Sequence, residues 1–205
     1  MKKIPVIFLS IITIICISCF LMAAKDVYAE DITYDKKHLQ RVEKLINETY
    51  MTVINVLDAN YIDMINHPLN NHDLTVFGVY FLYNNRYDKL EKIDDSGKCI
   101  IPVKRVHRVV KNILGVHLSH KEIKKQQSDG FQVVDDNIIL EPSDPGIYEP
   151  LKIKKISRDD ISLIRVYATQ KDIENNKVRQ YKIVLKEKVN KDKLSWNVIL
   201  IKPVN

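Results

Sequence analysis

Leu74-Thr75-Val76-Phe77-Gly78-Val79-Tyr80-Phe81-Leu82-Tyr83 is the stretch on which the fold turns. Val76, Phe77, Val79, Tyr80, Phe81 and Leu82 follow one another almost without interruption, as in a buried strand. Placed on a helix, Val76, Tyr80, Tyr83, Tyr87 and Leu90 step by four, three, four and three and fall in one stripe. The stripe runs on past the apolar block, through Arg86 and Lys89, where a buried strand would already have ended. The spacing therefore predicts a helix over 74–92, which makes the first half of the chain helical.

Toward the N-terminus, Leu39, Val42, Ile46, Val53, Leu57 and Ile65 extend an apolar helical face from Asp35 to Asn66. His67-Pro68 ends it, because proline disfavours helical geometry in the residue before it. Asn70 to His72 read as a loop, with Asp73 as the cap of the next helix.

Toward the C-terminus, Asp94-Asp95-Ser96-Gly97 is a turn and Lys98 to Ile101 a short strand. Pro102 opens a helix whose apolar side is Val103, Val106, Val110, Ile113 and Leu114, and Gly115 is placed to end it. Ser119 and Glu122 have the spacing of a capping box ahead of a short helix, which Asp129-Gly130 closes. The last third changes character. Phe131–Val134 and Ile138–Leu140 flank Asp135-Asp136-Asn137 as a hairpin, and a Pro-containing loop spans 141–150. Strands follow over 151–156, 161–170, 178–188 and 194–202. Tyr181, Ile183 and Leu185 share one face of the third, and Leu194, Trp196, Val198 and Leu200 one face of the last.

Helices first and strands last define an α+β fold: N-terminal helices followed by a C-terminal antiparallel β-meander, the sheet wrapped on the helices to bury Trp196, Tyr181 and Val106 together. The order of elements resembles the cone-shaped folds of the nuclear-transport-factor-2-like and cystatin-like groups. The resemblance is one of element order, with no residue motif attached, so no site is carried over from it.

Ahead of the fold, Lys2 and Lys3 precede an uncharged run from Ile4 to Ala24, then Val27-Tyr28-Ala29. A positive start, an apolar stretch and small residues before a cleavage point read as a secretory signal over 1–29, cut after Ala29. The chain thus divides into a signal peptide, 1–29, and a single α+β domain, 30–205. Two other outcomes fit the same residues: an uncleaved membrane anchor, since the run is 21 residues long, and lipidation of Cys19.

Without the signal the chain has 29 basic and 25 acidic residues, a net charge of +4, with its Lys scattered along the sequence. Lys outnumbers Arg and no aromatics interleave with a basic stripe, which argues against nucleic acid as a partner. The excess of Lys, Ile and Asn suits an AT-rich genome, such as that of a low-GC Gram-positive bacterium. Cys99 is the sole cysteine beyond the signal, so no internal disulfide forms there. In Lys98-Cys99-Ile100-Ile101 it reads as a small buried hydrophobe rather than a nucleophile.

Motifs for phosphate loops, nucleophile elbows and zinc proteases are missing, and no cofactor is implied. Asp94-Asp95 and Asp135-Asp136-Asn137 lack the ligand alternation and closing Glu of a calcium loop and read as turns. Two pairs remain as candidate sites. His117 and His120, three apart, can hold a metal if both rings leave one helical face, or stand solvated. Tyr83 and Tyr87, with Tyr80, can wall a ligand pocket or pack in the core.

The sequence thus predicts an exported protein, envelope-associated or secreted, working as a non-enzymatic binding or interaction domain. Its partner is another exported protein or a cell-wall component, and a membrane only if the N-terminal segment is retained or Cys19 is lipidated. The alternative is a small-ligand-binding or hydrolytic enzyme of cone-shaped α+β fold, with its pocket near Tyr83 and Tyr87.

Overall fold

Asp35 opens the first helix, its carboxylate accepting the His38 N–H at 2.8 Å, and α1 runs Lys36–Val56. The computed structural model describes residues 30–31, 35–57, 61–93, 96–142, 149–158, 162–171, 177–190 and 193–204. The segment read as an export signal, with its cleavage point, lies outside the described residues.

One side of α1, carrying Val42, Ile46, Tyr50 and Val53, is buried. The helix stops ten residues short of the Asn66 expected from the sequence, because Leu57 is already extended and Ile62–Asp63 form strand β2. The Asp63 carboxylate accepts the N–H groups of Ile65 (3.2 Å) and Asn66 (3.0 Å), giving that backbone a turn in place of a helix. Leu39 and Ile65, assigned to the buried face, are 37% and 60% exposed.

Helix α2 spans Asn71–Arg86, and Asn70, not Asp73, caps it: Asn70 Oδ1 accepts the Asp73 N–H at 2.9 Å. The stretch quoted first is indeed helical, but Tyr87–Lys89 tighten into a 3-10 turn and Glu91–Lys92 are strand β3. Leu74 to Val79 and Phe81 to Tyr83 are all buried, so α2 is enclosed on nearly every side. That enclosure explains an apolar run that also looked like a strand, since a helix buried all round shows no polar stripe. Gly78 lets α3 (Val103–Ile113) approach closely, for a Cβ there would lie 2.8 Å from a Val106 methyl and 3.0 Å from a Val110 methyl.

Pro102 precedes α3 as its cap, and Gly115, at φ +77°, ends that segment as expected. The end of α3 is met by a strand side chain, with Asn197 Nδ2 donating to the Asn112 carbonyl at 2.7 Å. The capping box forms in full around α4 (His120–Ile123).

The strands divide into two antiparallel sheets. The short strands β3, β4 (Cys99–Pro102), β5 (Phe131–Val134) and β6 (Asn137–Leu140) make a four-stranded sheet in the order β3-β4-β6-β5. The sequence pattern did not separate this sheet from the main one. The second sheet has six strands, β1-β7-β8-β9-β10-β2, built on a meander of β7 (Lys152–Arg158), β8 (Leu163–Lys171), β9 (Val178–Asn190) and β10 (Lys193–Val204). Glu30–Asp31 form β1 at its edge. The chain is therefore α+β, helices followed by antiparallel sheets.

Tyr181, Ile183 and Leu185 of β9 join Ile164, Val166 and Ala168 of β8 and Trp196, Val198 and Ile201 of β10 in the hydrophobic core with α1, α2 and α3. Trp196 (4% exposed), Tyr181 (5%) and Val106 (0%) belong to that one core. One detail of the alternation differs from the sequence reading. The register slips between Val198 and Leu200, so Ile201 pairs with Ile183 on the core face and Leu200 with Val184 on the other. The bulge moves Leu200 off the face it was expected to share with Trp196.

Candidate functional site

The side chains with the most obvious chemistry lie at separate places. His107, on α3, points its ring between His117 and His120, with centroids 5.0 Å and 5.4 Å away and both contacts edge to face. His107 Nδ1 lies 2.6 Å from the Leu118 carbonyl; a carbonyl only accepts, so that nitrogen carries the proton. The structure thus adds His107 to the sequence-predicted pair, a partner that spacing alone did not reveal because it sits one helix earlier. Among the described residues, no group of three or more His, Cys, Asp or Glu stands so as to hold a metal ion. Beside the cluster, bonds from the Ser119 hydroxyl and N–H, then from Asn71, hold the Glu122 carboxyl below its ordinary range, and the nearness of His117 adds to this.

Tyr83 and Tyr87 meet edge to face at 5.2 Å, Tyr83 buried and Tyr87 half-buried, with the Lys92 ammonium 4.7 Å from the Tyr87 ring centre. The two rings pack on each other at the end of α2. Cys99 is fully buried in β4, and burial pushes its thiol up, away from the reactive thiolate. Asp135 adopts φ 54° in the β5–β6 turn, and the Asp136 carboxylate pairs with Lys124 at 2.6 Å.

A further feature emerges only once the strands are paired. Strands β7 to β10 hold twelve of the 32 Lys and Arg residues and one of the 26 Asp and Glu, Glu187. They therefore carry +11 in a chain of net +6, leaving −5 for everything else. Glu187 is itself occupied, bonded to Arg158 at 2.9 Å.

Strand pairing sorts these charges by face, since directly opposed residues project to the same side. Lys155 opposes Tyr167, Tyr167 opposes Lys182, and Lys182 opposes Lys202. Lys152, Arg165, Lys171, Lys186, Lys188 and Lys193 have the same parity, turned away from the core. Nine cations of the meander thus share the outer face, and none of its acids does. Val184 (7% exposed), Leu200 (4%) and Asn197 (2%) lie on this face too and are buried, Asn197 against the end of α3.

At the sheet edge, burial acts to raise the Asp63 carboxyl. The bonds it accepts from Asn66 and Ile65, with the charge of Lys202 nearby, outweigh that and leave it below its ordinary range. Any one strand shows only a few Lys; the face emerges when the register of all four is known. No protein-family model, no curated protein and no solved structure matches this chain.

Proposed function

We propose that the chain is an exported protein of the bacterial envelope or its surroundings, working as a binding domain without catalysis of its own. Its partner on this reading is a cell-wall component or another exported protein. The observation that supports it is the filled core side of the six-stranded sheet. Trp196, Tyr181 and Ile183 are buried there with α1 across them, where a cone-shaped enzyme would keep its pocket. The cone-like wrap of the sheet on α1 belongs to the same proposal and draws support from the breaks in register at Lys155 and Leu200, which bend strands.

Fractionation of the producing cell tests the reading. The protein is expected outside the cytoplasm with its N-terminus at Glu30. A start at Cys19 carrying lipid, or an intact N-terminus in the membrane fraction, would replace release by anchoring. Retention in the cytoplasm would overturn the proposal.

A further inference from the structure

The six-stranded sheet has one face in the core, while the other carries nine cations of the meander and none of its acids, set around a buried patch of Val184, Leu200 and Asn197 that meets the end of α3. We infer that this outer face binds a linear polyol-phosphate polymer of the cell wall, its phosphates lying over Lys152, Lys171, Lys182, Lys186, Lys188 and Lys202. The inference rests on the exported location proposed above and deepens it by naming the partner.

Three observations carry it. First, among the described residues none of these six lysines makes a salt bridge; Lys202 lies near Asp63, whose carboxylate is taken up by the turn at Ile65 and Asn66, and Glu187 is held by Arg158. Secondly, like charges crowd one end of the face. Burial, then the neighbouring ammonium groups of Lys186 and Lys111, hold Lys188 below the ordinary lysine range. A bound anion relieves that repulsion, so the face gains more from a polyanion than the same charges spread apart would.

Thirdly, the shape suits a strand of polymer. The meander spans about 14 Å across its four strands and about 33 Å along β9 from Val178 to Lys188, at the usual spacings of a sheet. Nearest cations along and across the strands then lie roughly 5–7 Å apart at the backbone. Lysine ammoniums bind phosphate as point charges without demanding a fixed orientation, which suits a repeating chain.

A lipid bilayer fits less well. The apolar residues in the middle of the face, Val184 and Leu200, are buried, and its exposed ones, Val178 and Val204, lie together at one end, where two valines offer little to insert. Nucleic acid fits less well too, because Tyr167 is the one aromatic residue among the face positions and a stacking platform needs several.

The experiment uses the protein as recovered from the producing cell and a synthetic poly(glycerol phosphate) as probe. Binding is expected to weaken about 100-fold between 50 and 200 mM monovalent salt, the slope for about five ammonium–phosphate contacts on a single-stranded polyanion. The quadruple variant Lys182→Gln, Lys186→Gln, Lys188→Gln, Lys202→Gln should lose at least 30-fold in affinity and flatten that slope. A variant of equal charge change elsewhere, Lys36→Gln, Lys37→Gln, Lys104→Gln, Lys121→Gln, should stay within about twofold. Should the first variant melt early, Lys186→Gln alone, expected to lose about threefold, gives the same answer.

Equal losses in the two quadruple variants would show attraction to net charge alone and overturn the inference. So would failure to bind poly(glycerol phosphate) at 50 mM salt, or at least tenfold tighter binding of polyglutamate, single-stranded DNA or vesicles containing an anionic lipid. If the polymer is not bound but the protein is found outside the cytoplasm, the inference falls and the reading of an exported binding domain stands. A cytoplasmic protein that binds the polymer in vitro would overturn the wall polymer as its partner along with that reading.

Discussion

The two faces of the six-stranded sheet follow opposite rules. On the core face, Ile164, Val166, Ile183, Leu185, Val198 and Ile201 are fully buried, and each contributes stability through apolar surface withdrawn from water. On the outer face, lysines repeat at the same two-residue period, and their mutual repulsion opposes folding while adding nothing to the core. Apolar alternation is what stability requires of a strand; a one-signed alternation on the reverse side is not. The difference separates residues kept for folding from residues whose placement asks for a partner.

The largest expected effect is on the core face. Truncating Trp196, which lies edge to face with His38 at 6.3 Å and under the Arg41 guanidinium at 5.3 Å, should cost about 3–5 kcal/mol. Denaturant unfolding of Trp196→Ala measures this directly. A loss below about 1 kcal/mol would mean that the indole stands in an open cavity, and the contrast between the faces would collapse.

Next in size is the helix contact behind the sheet. Gly78→Ala raises helix propensity by about 1 kcal/mol in isolation. Here the new methyl meets Val106 and Val110, both fully buried and both on the helix it faces. Overpacking should win, giving a net loss of about 1–3 kcal/mol. A variant more stable than the parent would show that α2 and α3 can separate, and that the core is softer than the sheet packed on it.

Much of the core face was readable in advance. Tyr181, Ile183 and Leu185 alternate with polar residues, and a half-buried strand with no bulge keeps its period. What failed to show were contacts that leave no local periodicity. Leu200 changes face because one extra residue enters β10, and a bulge has no signature in a run such as Val198-Ile199-Leu200-Ile201. Asp63 ends the helical region by bonding a turn, which outweighs the helical spacing of Ile65. The outer face was hidden for a different reason: Lys152, Lys182 and Lys202 are scattered in sequence, and only strand register makes them neighbours. Of the candidate sites, His117 and His120 were legible as a pair, whereas His107 comes from another element and joins them only through tertiary packing.

A smaller effect tests the polar fastening of the core face to α1. The Tyr50 hydroxyl lies 2.7 Å from Gln170 Oε1 and 2.9 Å from the Tyr181 hydroxyl, in a buried network whose low polarity pushes the Tyr50 phenol far up from its ordinary range. Tyr50→Phe keeps the ring and removes those bonds, so a loss of about 1–2 kcal/mol is expected on urea unfolding. Tyr50→Phe with Gln170→Leu should lose less than the sum of the two single losses, because either change alone already removes the bond between them. Additive losses would show that the two groups do not act as one network.

The smallest effect belongs to the outer face and carries the opposite sign. Lys188 is charged at neutral pH in a setting where burial, Lys186 and Lys111 all disfavour the charge. Its folded-state pKa is depressed, so the protonated group weighs against the folded state, and the penalty is present at neutral pH. The penalty fades as pH rises through the folded pKa and is gone above the unfolded lysine value of about 10.4. Lys188→Gln should therefore stabilise the protein at pH 7 by up to about 0.5 kcal/mol, the range usual for surface substitutions. The gain should shrink in 0.5 M salt, where screening over a few ångströms weakens repulsion between exposed ammoniums. Melting curves at low and high salt, and again near pH 10.5, measure all three points. A loss of more than 1 kcal/mol on removing the charge would mean that Lys188 fastens the sheet, as the core residues do. A gain that vanishes with salt and with deprotonation would place it among charges that cost stability and are held in position for something outside the chain.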